Sequence, residues 1–368
     1  MPVTQRPPTG AAAPYDALLL VSFGGPERPA DVIPFLENVT GGRGVPPERL
    51  AEVAEHYLAF GGRSPINDQC RELVAAIEAD FKEHGIDLPV YWGNRNWQPS
   101  LHDTISRMAD DGVRAAAAFM TSAYASYSGC RQYREALFDA ASASAAAPRI
   151  DKLRHYFNHP GFISAFVDSV CDALAALSPA TRDQAPLVFV THSIPISMAE
   201  SSGPDGDAYV EQHLSVARQV AEGVRERTGT VRGHDLAYCS RSGSPQVPWL
   251  GPDINDHLTT LRERGVAGLV VVPIGFVSDH MEVIYDLDTE AAATAAELGL
   301  EFERAQTPGV HPAFVAAIRD LLLERASVER GEPVSRVARG DLPAAWDACA
   351  AGCCPNPQGA RPTLCERV

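Results

Sequence analysis

The chain has 368 residues, 45% of them hydrophobic and 21% charged, with a net charge of −16 and a pI near 5.1. That is enough chain for two domains with full cores. A strongly acidic chain with no local basic patch argues against a nucleic-acid partner, no apolar run reaches transmembrane length, and the opening MPVTQRPPTGAAAP lacks the apolar centre of a secretory signal.

Residues 1–14 read as a disordered lead-in. The expected setting is cytoplasmic and reducing, so the eight cysteines are not presumed to be disulfides. DALLLVSFGGP (16–26) reads as a buried strand ending in a Gly-Gly turn. Apolar residues at helical spacing follow over 29–39 and 47–62. GGRSPIND (61–68) is a loop, with helix from there to about Phe81. PVYWGNRNW (89–97) is a second strand, and RAAAAFMTSAYASYSG (114–129) a third that runs into a Ser-rich aromatic loop. A helix from about Arg131 to Ala141 closes this run. From Ile150 a second run begins. Its strands are PLVFVTHS (186–193), DLAYCSRSG (235–243), GLVVVPIGF (268–276) and LEFERAQ (300–306), with helices near 162–176, 208–228 and 253–264 and a last one over 311–326. Strand and helix alternate throughout, as parallel sheets covered on both faces require. The expected α/β organisation is two similar lobes, 15–150 and 151–308, with a cleft between them. A helix over 309–330 follows, then a Pro- and Cys-rich tail over 331–368. No sequence repeat relates the lobes.

Two strand ends carry the candidate chemistry. LVFVTHSIP (187–195) places His192 just past a buried strand. PIGFVSDHMEVIYDLDTE (273–290) reads as a strand end, a turn and a helix. Ser278 and Asp279 are N-cap types there, and Glu282 falls near the first turn. His280 and Glu282 thus stand where ligand sites form in open α/β sheets. Glu282, Asp286 and Glu290, spaced i, i+4, i+8, line one face of a regular helix. Acids near a helix start also complement its dipole, and a lone strand-end histidine is more often structural than functional. Two such histidines leading a row of three carboxylates tilt the reading toward a metal or acid–base site, with Fe(II), Zn, Ni or Co suited to imidazole plus carboxylate. Neither GxGxxG nor GxxxxGK[ST] occurs, so no nucleotide is expected. Aromatics in the expected cleft loops, among them Phe23, Trp97 and Tyr133, would suit a large flat apolar ligand.

SFGGPE, FGGRSPIN, GNRNW, HSIP, SRSGSPQVPWLGPD and PIGFVSDHMEVIYDLDTE together resemble the ferrochelatases, over roughly Asp16 to Ala326. The resemblance implies two Rossmann-like, chelatase-type lobes that insert Fe(II), the substrate metal, into a porphyrin. It makes His192 the imidazole facing the porphyrin centre, binding metal and taking pyrrole protons. It makes Glu282 the acidic partner across the macrocycle, with His280 and Asp279 in support and Asp286 and Glu290 continuing the acidic row. It also implies a local widening of this helix, because His280 and Glu282, two apart, do not share a face of an α-helix. Phe23 stands where some relatives place a Tyr, which excludes a phenol ligand and puts more weight on His192. The resemblance is closest to actinobacterial-type enzymes acting on coproporphyrin III, whose four propionates need polar and cationic partners. Arg43, His56, Arg63, Ser64 and Tyr133 lie in first-lobe segments able to supply them, and Phe23 is a further porphyrin contact. Protoporphyrin IX as substrate, a Co or Ni chelatase of the same fold, and a non-catalytic tetrapyrrole carrier remain as alternatives. Transient contact with neighbouring haem-pathway enzymes is also implied.

Cys349, Cys353 and Cys354 crowd the Pro-rich tail, where core packing gives no reason for them, and Cys365 follows after a gap. An iron–sulfur cluster needs four ligands, usually thiolates. Ferrochelatases with clusters use a cysteine in the loop after the third strand, where Cys130 stands in YSGC. The expected [2Fe–2S] ligands are Cys130, Cys349, Cys353 and Cys354, with Cys365 in reserve and zinc as the structural alternative. Cys70, Cys171 and Cys239 read as core.

Overall fold

The computed structural model describes residues 10–41, 45–242 and 246–366, so Arg43 lies outside the described residues. The strands are β1 (Ala17–Ser22), β2 (Val90–Asn94), β3 (Ala115–Met120), β4 (Arg149–Lys152), β5 (Leu187–His192), β6 (His234–Cys239), β7 (Gly268–Val272) and β8 (Glu301–Arg304). They form two four-stranded sheets, ordered β2-β1-β3-β4 and β6-β5-β7-β8. Every pairing is parallel. The same order occurs twice, so the lobes are topological copies although their sequences show no repeat. In each sheet the order reverses beside the first strand, which marks the carboxyl ends of β1 and β5 as ligand crevices.

The central strands follow from composition. β1, β3 and β7 are buried along their whole length, as parallel strands covered on both faces must be. β7 stops short of the apolar run that ends at Phe276, because Pro273 has no N–H to continue the ladder. β4 is four residues of alternating burial, too short to stand out by pattern, and it carries the first sheet past the expected boundary at 150. The helix Leu101–Asp110 is likewise not expected from the sequence; the Ser100 hydroxyl caps it by accepting from Asp103 N at 3.0 Å. Residues 10–14 do not belong to a disordered lead-in. Arg330 Nη1 donates to the Ala11 and Ala13 carbonyls at 2.7 and 2.6 Å, and Ala12 is buried.

The helix Pro312–Glu329 packs on Ile66–Glu83 of the first lobe and Pro160–Ala176 of the second, with Arg319 Nη1 2.7 Å from Asp80. Three helices start on a histidine cap: Nδ1 of His159, His280 and His311 accepts from Gly161, Glu282 and Ala313 N, each at 3.2 Å. The tail past Glu329 has no regular element among the described residues. It is stitched down by side chains. Arg131 donates to the Cys353 and Arg361 carbonyls at 3.3 and 3.1 Å, and Asn158 Nδ2 to those of Leu342 and Pro343 at 2.9 and 3.0 Å.

The lobes meet at a seam over the ends of β5 and β7. Tyr124 OH donates to the Ile274 carbonyl at 2.9 Å, and Asp279 N donates to Gln69 Oε1 at 2.7 Å. His56 stacks on Tyr285 with centroids 3.9 Å apart. Within the second lobe, Gly275 N donates to the Val190 carbonyl at 3.2 Å, and a Cβ on Gly275 would lie 2.2 Å from Thr191 Oγ1. Gly275→Ala should therefore destabilise the chain by about 1–3 kcal/mol, the usual range for overpacking. Chemical denaturation measures it, and an unchanged midpoint would show that this approach can relax freely.

Candidate active site

His192 ends β5 with 29% of its side chain exposed. Its Nδ1 faces the Ser193 carbonyl. A carbonyl only accepts, so Nδ1 carries the hydrogen and Nε2 is the nitrogen left for chemistry. Nε2 lies 3.6 Å from Glu282 Oε1. Behind the imidazole is a buried polar network that no motif announces. Tyr209 OH donates to the His192 carbonyl at 2.8 Å. Thr191 Oγ1 is 2.9 Å from both Tyr209 OH and His213 Nε2, and Tyr124 stacks on His213 at 3.6 Å. Burial pushes the His213 imidazole down to about 3, so it stays neutral. The only sequence signal for this pair is the i, i+4 spacing of Tyr209 and His213 on one helix.

The opposite wall comes from the chain leaving β7. Its helix is α over Met281–Tyr285, π over Asp286–Ala291 and α over Ala292–Leu298. The widening that the resemblance implies thus begins after His280 and Glu282. The cap is His280, not Ser278 or Asp279. Ser278 is buried, and the Asp279 carboxylate accepts from Arg304 Nη1 and Nη2 at 3.3 Å and from Thr307 Oγ1 at 3.1 Å. As a cap acceptor, Nδ1 of His280 is spent on Glu282 N. Glu282 was expected across the macrocycle from His192. A gap of 3.6 Å leaves no room between the two side chains for a ring that needs about 3.5 Å of contact on each side.

Burial opposes the His192 imidazolium, but the Glu282 carboxylate outweighs it, with help from the Ser193 carbonyl and Asp286, and the pKa stands above the ordinary value. Burial raises Glu282, yet His192 and then His280 bring it down to about 2. Glu282 is 44% exposed, so solvent screens part of this attraction. Burial keeps His280 below its ordinary range. Asp286 behaves oppositely. Burial lifts it from 3.8 to about 7, against a Ser240 hydroxyl bond and with Glu282 and Glu290 adding to the rise. Glu290 is exposed. The row therefore runs from an ionised, half-exposed carboxylate through a near-neutral one to solvent. Among the described residues no three His, Cys, Asp or Glu side chains are placed to hold one metal ion; a cation at the seam meets at most the His192–Glu282 pair.

The expected porphyrin contacts divide. Phe23 joins Phe35, Tyr57 and Trp97 in an aromatic cluster, next to the seam because burial and then the Glu282 and Asp286 charges raise the Tyr57 phenol. His56 lies at the seam on Tyr285. Arg63 is exposed and paired with Asp68. Ser64 and Tyr133 are interior: Ser64 is packed against Gly25, and Tyr133 lies under the Arg95 guanidinium at 4.5 Å.

All eight cysteines are free thiols. Cys130, Cys349, Cys353 and Cys354 share one buried pocket with Ala125, and Cys353 Sγ is 3.7 Å from Cys354 Sγ. Cys130 lies in a π-helical turn, Tyr127–Arg131, rather than in a loop. Hydrogen bonds from Cys130 and Cys353 favour the Cys349 thiolate, aided by Lys152 and Arg134. Cys354 accepts from Gly203 N at 3.1 Å. Cys365 stands apart, against Lys152 N at 3.2 Å and the Ile150 carbonyl at 3.4 Å. Cys70 and Cys239 are core, and Cys171 is half-buried.

Glu282→Gln should lower the His192 pKa, because burial is then no longer outweighed; an NMR titration of the imidazole checks it, and a rise would contradict the pairing. Asp286 carries a raised pKa, so ionising it costs stability that is lost as pH climbs from 3.8 through about 7. Asp286→Asn should therefore melt above the wild type at pH 8, with the gap closing near pH 4. A gap independent of pH would contradict this.

The chain matches the ferrochelatase family over residues 15–326. It is 60% identical over 353 residues to the coproporphyrin III ferrochelatase of Streptomyces coelicolor, covering 94% of each chain. It is 53% identical to that of Frankia alni, covering 97% of this chain and 90% of the relative. Among solved structures, SirB from Bacillus subtilis with Fe3+ aligns with a TM-score of 0.50 at 14% identity, over 86% of this chain and 97% of that one; the likeness speaks for the fold alone. Matched through both lobes, and at this identity to its relatives, the chain belongs to the ferrochelatase family.

Proposed function

We propose that the chain inserts Fe(II) into coproporphyrin III, giving Fe-coproporphyrin in haem biosynthesis. The reading rests on the relatives of that name, matched over nearly the whole chain. The observation that carries the mechanism is the free Nε2 of His192 beside Glu282 at a sheet switch point. Metallation must distort a flat macrocycle, remove two N–H protons and deliver a partly dehydrated cation. The aromatic cluster around Phe23 offers an apolar wall for the ring, and binding against it can supply distortion. At rest His192 and Glu282 hold a proton between them. Fe(II) arriving at the pair displaces that proton, as metal binding to imidazole does. When the ion moves into the ring, Nε2 takes the two pyrrole protons in turn and hands each on by way of the Glu282 carboxylate, so one dication is exchanged for two protons. Asp286, titrating near neutrality, can pass them on to exposed Glu290.

Cys130, Cys349, Cys353 and Cys354 are proposed to hold a [2Fe–2S] cluster. Four thiols in one buried pocket, beside cationic side chains and a Gly203 N–H aimed at sulfur, suit that group. When bound it ties the tail to the first lobe; no step of insertion uses it. No helix among the described residues is long and apolar enough to cross a membrane. A cytoplasmic setting, and transient contact with neighbouring haem-pathway enzymes, complete the proposal.

His192→Ala should cut porphyrin metallation by about 10²–10⁴-fold while the protein stays folded, as loss of a positioned base does. Asp286→Asn should lose less, with partial recovery in excess Fe(II). Absorbance assays with coproporphyrin III and protoporphyrin IX side by side decide the substrate, and a preference for the latter would overturn that part. Anaerobically purified protein should contain about two irons and two sulfides per chain; colourless protein with stoichiometric zinc would refute the cluster.

A further inference from the structure

The thiol pocket holds more buried positive charge than it has carboxylates to answer it. Lys152, one of two lysines in the chain, is 2% exposed. Its Nζ donates to the Trp346 carbonyl at 2.7 Å, and no ion pair to it is found among the described residues. Its neighbour Asp151 is engaged elsewhere, by Tyr15, Arg149 and Arg325. Arg134 is 0% exposed. Its Nε and Nη2 are bound to the Leu364 carbonyl at 3.0 Å and the Thr363 hydroxyl at 2.8 Å, but Nη1 has no partner. The carboxylate paired with it, Glu366, stands off at 3.8 Å and is already held by Thr363 Oγ1 at 2.6 Å and Gly352 N at 3.0 Å. His155 lies alongside, buried, with Nε2 also unpartnered. Burial, then the Lys152 charge, push it down to about 4, so it adds a neutral ring and no anion.

Buried cations without counter-ions are expensive, and a fold keeps them where an anion is to come. Among the cysteines, Cys349, Cys130 and Cys365 feel both cations, and Cys354 feels Arg134. We infer that Lys152 and Arg134 are the built-in counter-ions of the four-thiolate centre and favour its reduction. The inference rests on the [2Fe–2S] reading. Two ferric ions, two sulfides and four thiolates sum to a dianion. One added electron turns a ferric ion ferrous and makes a trianion. A fixed cation stabilises the trianion more than the dianion, so each one raises the reduction potential. It also makes tail docking contingent on the centre, because without it the same cations face only protonated or partly ionised thiols.

The test uses the full chain, purified anaerobically, as wild type, Lys152→Met and Lys152→Arg. Iron and sulfide are assayed, and the midpoint is read by EPR during a dithionite titration. Lys152→Met should shift the one-electron equilibrium at least tenfold toward the oxidised form, about 59 mV more negative, or lose most of its iron and sulfide, while Lys152→Arg keeps both properties. The same comparison of Arg134→Met with Arg134→Lys tests the second cation. A Met variant matching wild type in content and midpoint overturns the inference. So does equal loss in the Met and Arg variants, which would make shape, not charge, the requirement. Wild-type protein without iron and sulfide would instead refute the cluster itself, and this inference with it.

Discussion

The site depends on one close approach, that of Gly275 to Thr191. A side chain at 275 would overlap the Thr191 hydroxyl, so the chain leaving β7 can cross directly over the end of β5. That crossing carries the next loop and helix back toward His192 and leaves Glu282 within 3.6 Å of it. Both members of the pair therefore belong to the second lobe. The first lobe adds the aromatic cluster and the seam contacts Tyr124, Gln69 and His56. Movement between the lobes would alter the wall facing the porphyrin while leaving the His192–Glu282 distance in place.

Much of this was legible from residues. Long apolar runs such as ALLLV and GLVVV declare parallel strands because both of their faces are covered. The two strand-end histidines and the acidic row came from position alone. Legibility failed where local pattern gives way to three-dimensional context. β4 is a four-residue strand defined only by its neighbour β3. The cap passed from Ser278 and Asp279 to His280 because Arg304, 25 residues further along the chain, claims the Asp279 carboxylate. Ser64 and Tyr133 are polar side chains that tertiary packing buries, which their local sequence does not announce. The Tyr209–His213–Thr191 network joins a helix to a strand and leaves no local signature.

The tail shows how a segment without helices or strands can still be ordered. Each of its backbone carbonyls near the thiol pocket that accepts from Arg131 or Arg134 substitutes for a ladder bond. These arginines project from the π turn after β3 and the helix that follows it. The wider π turn also presents Cys130 to the same pocket. One irregularity of the first lobe thus positions both the ionic and the thiol attachments of the tail.

The histidine caps set a limit of another kind. An imidazole caps a helix only through a lone pair, and an imidazolium has none to offer; its charge also opposes the positive end of the helix dipole. Burial and then Arg154 push His159 from 6.5 down to about 4, and burial lowers His280 as well. Folded-state protonation is thereby postponed at both caps, and at His159 stability drains as pH falls from 6.5 toward about 4, where the unfolded chain alone binds the proton. When the caps do take protons, one fails in the interior beneath the last helix and another beside Glu282. Acid would then loosen two distant helix starts through the same residue type, one of them beside the His192–Glu282 pair.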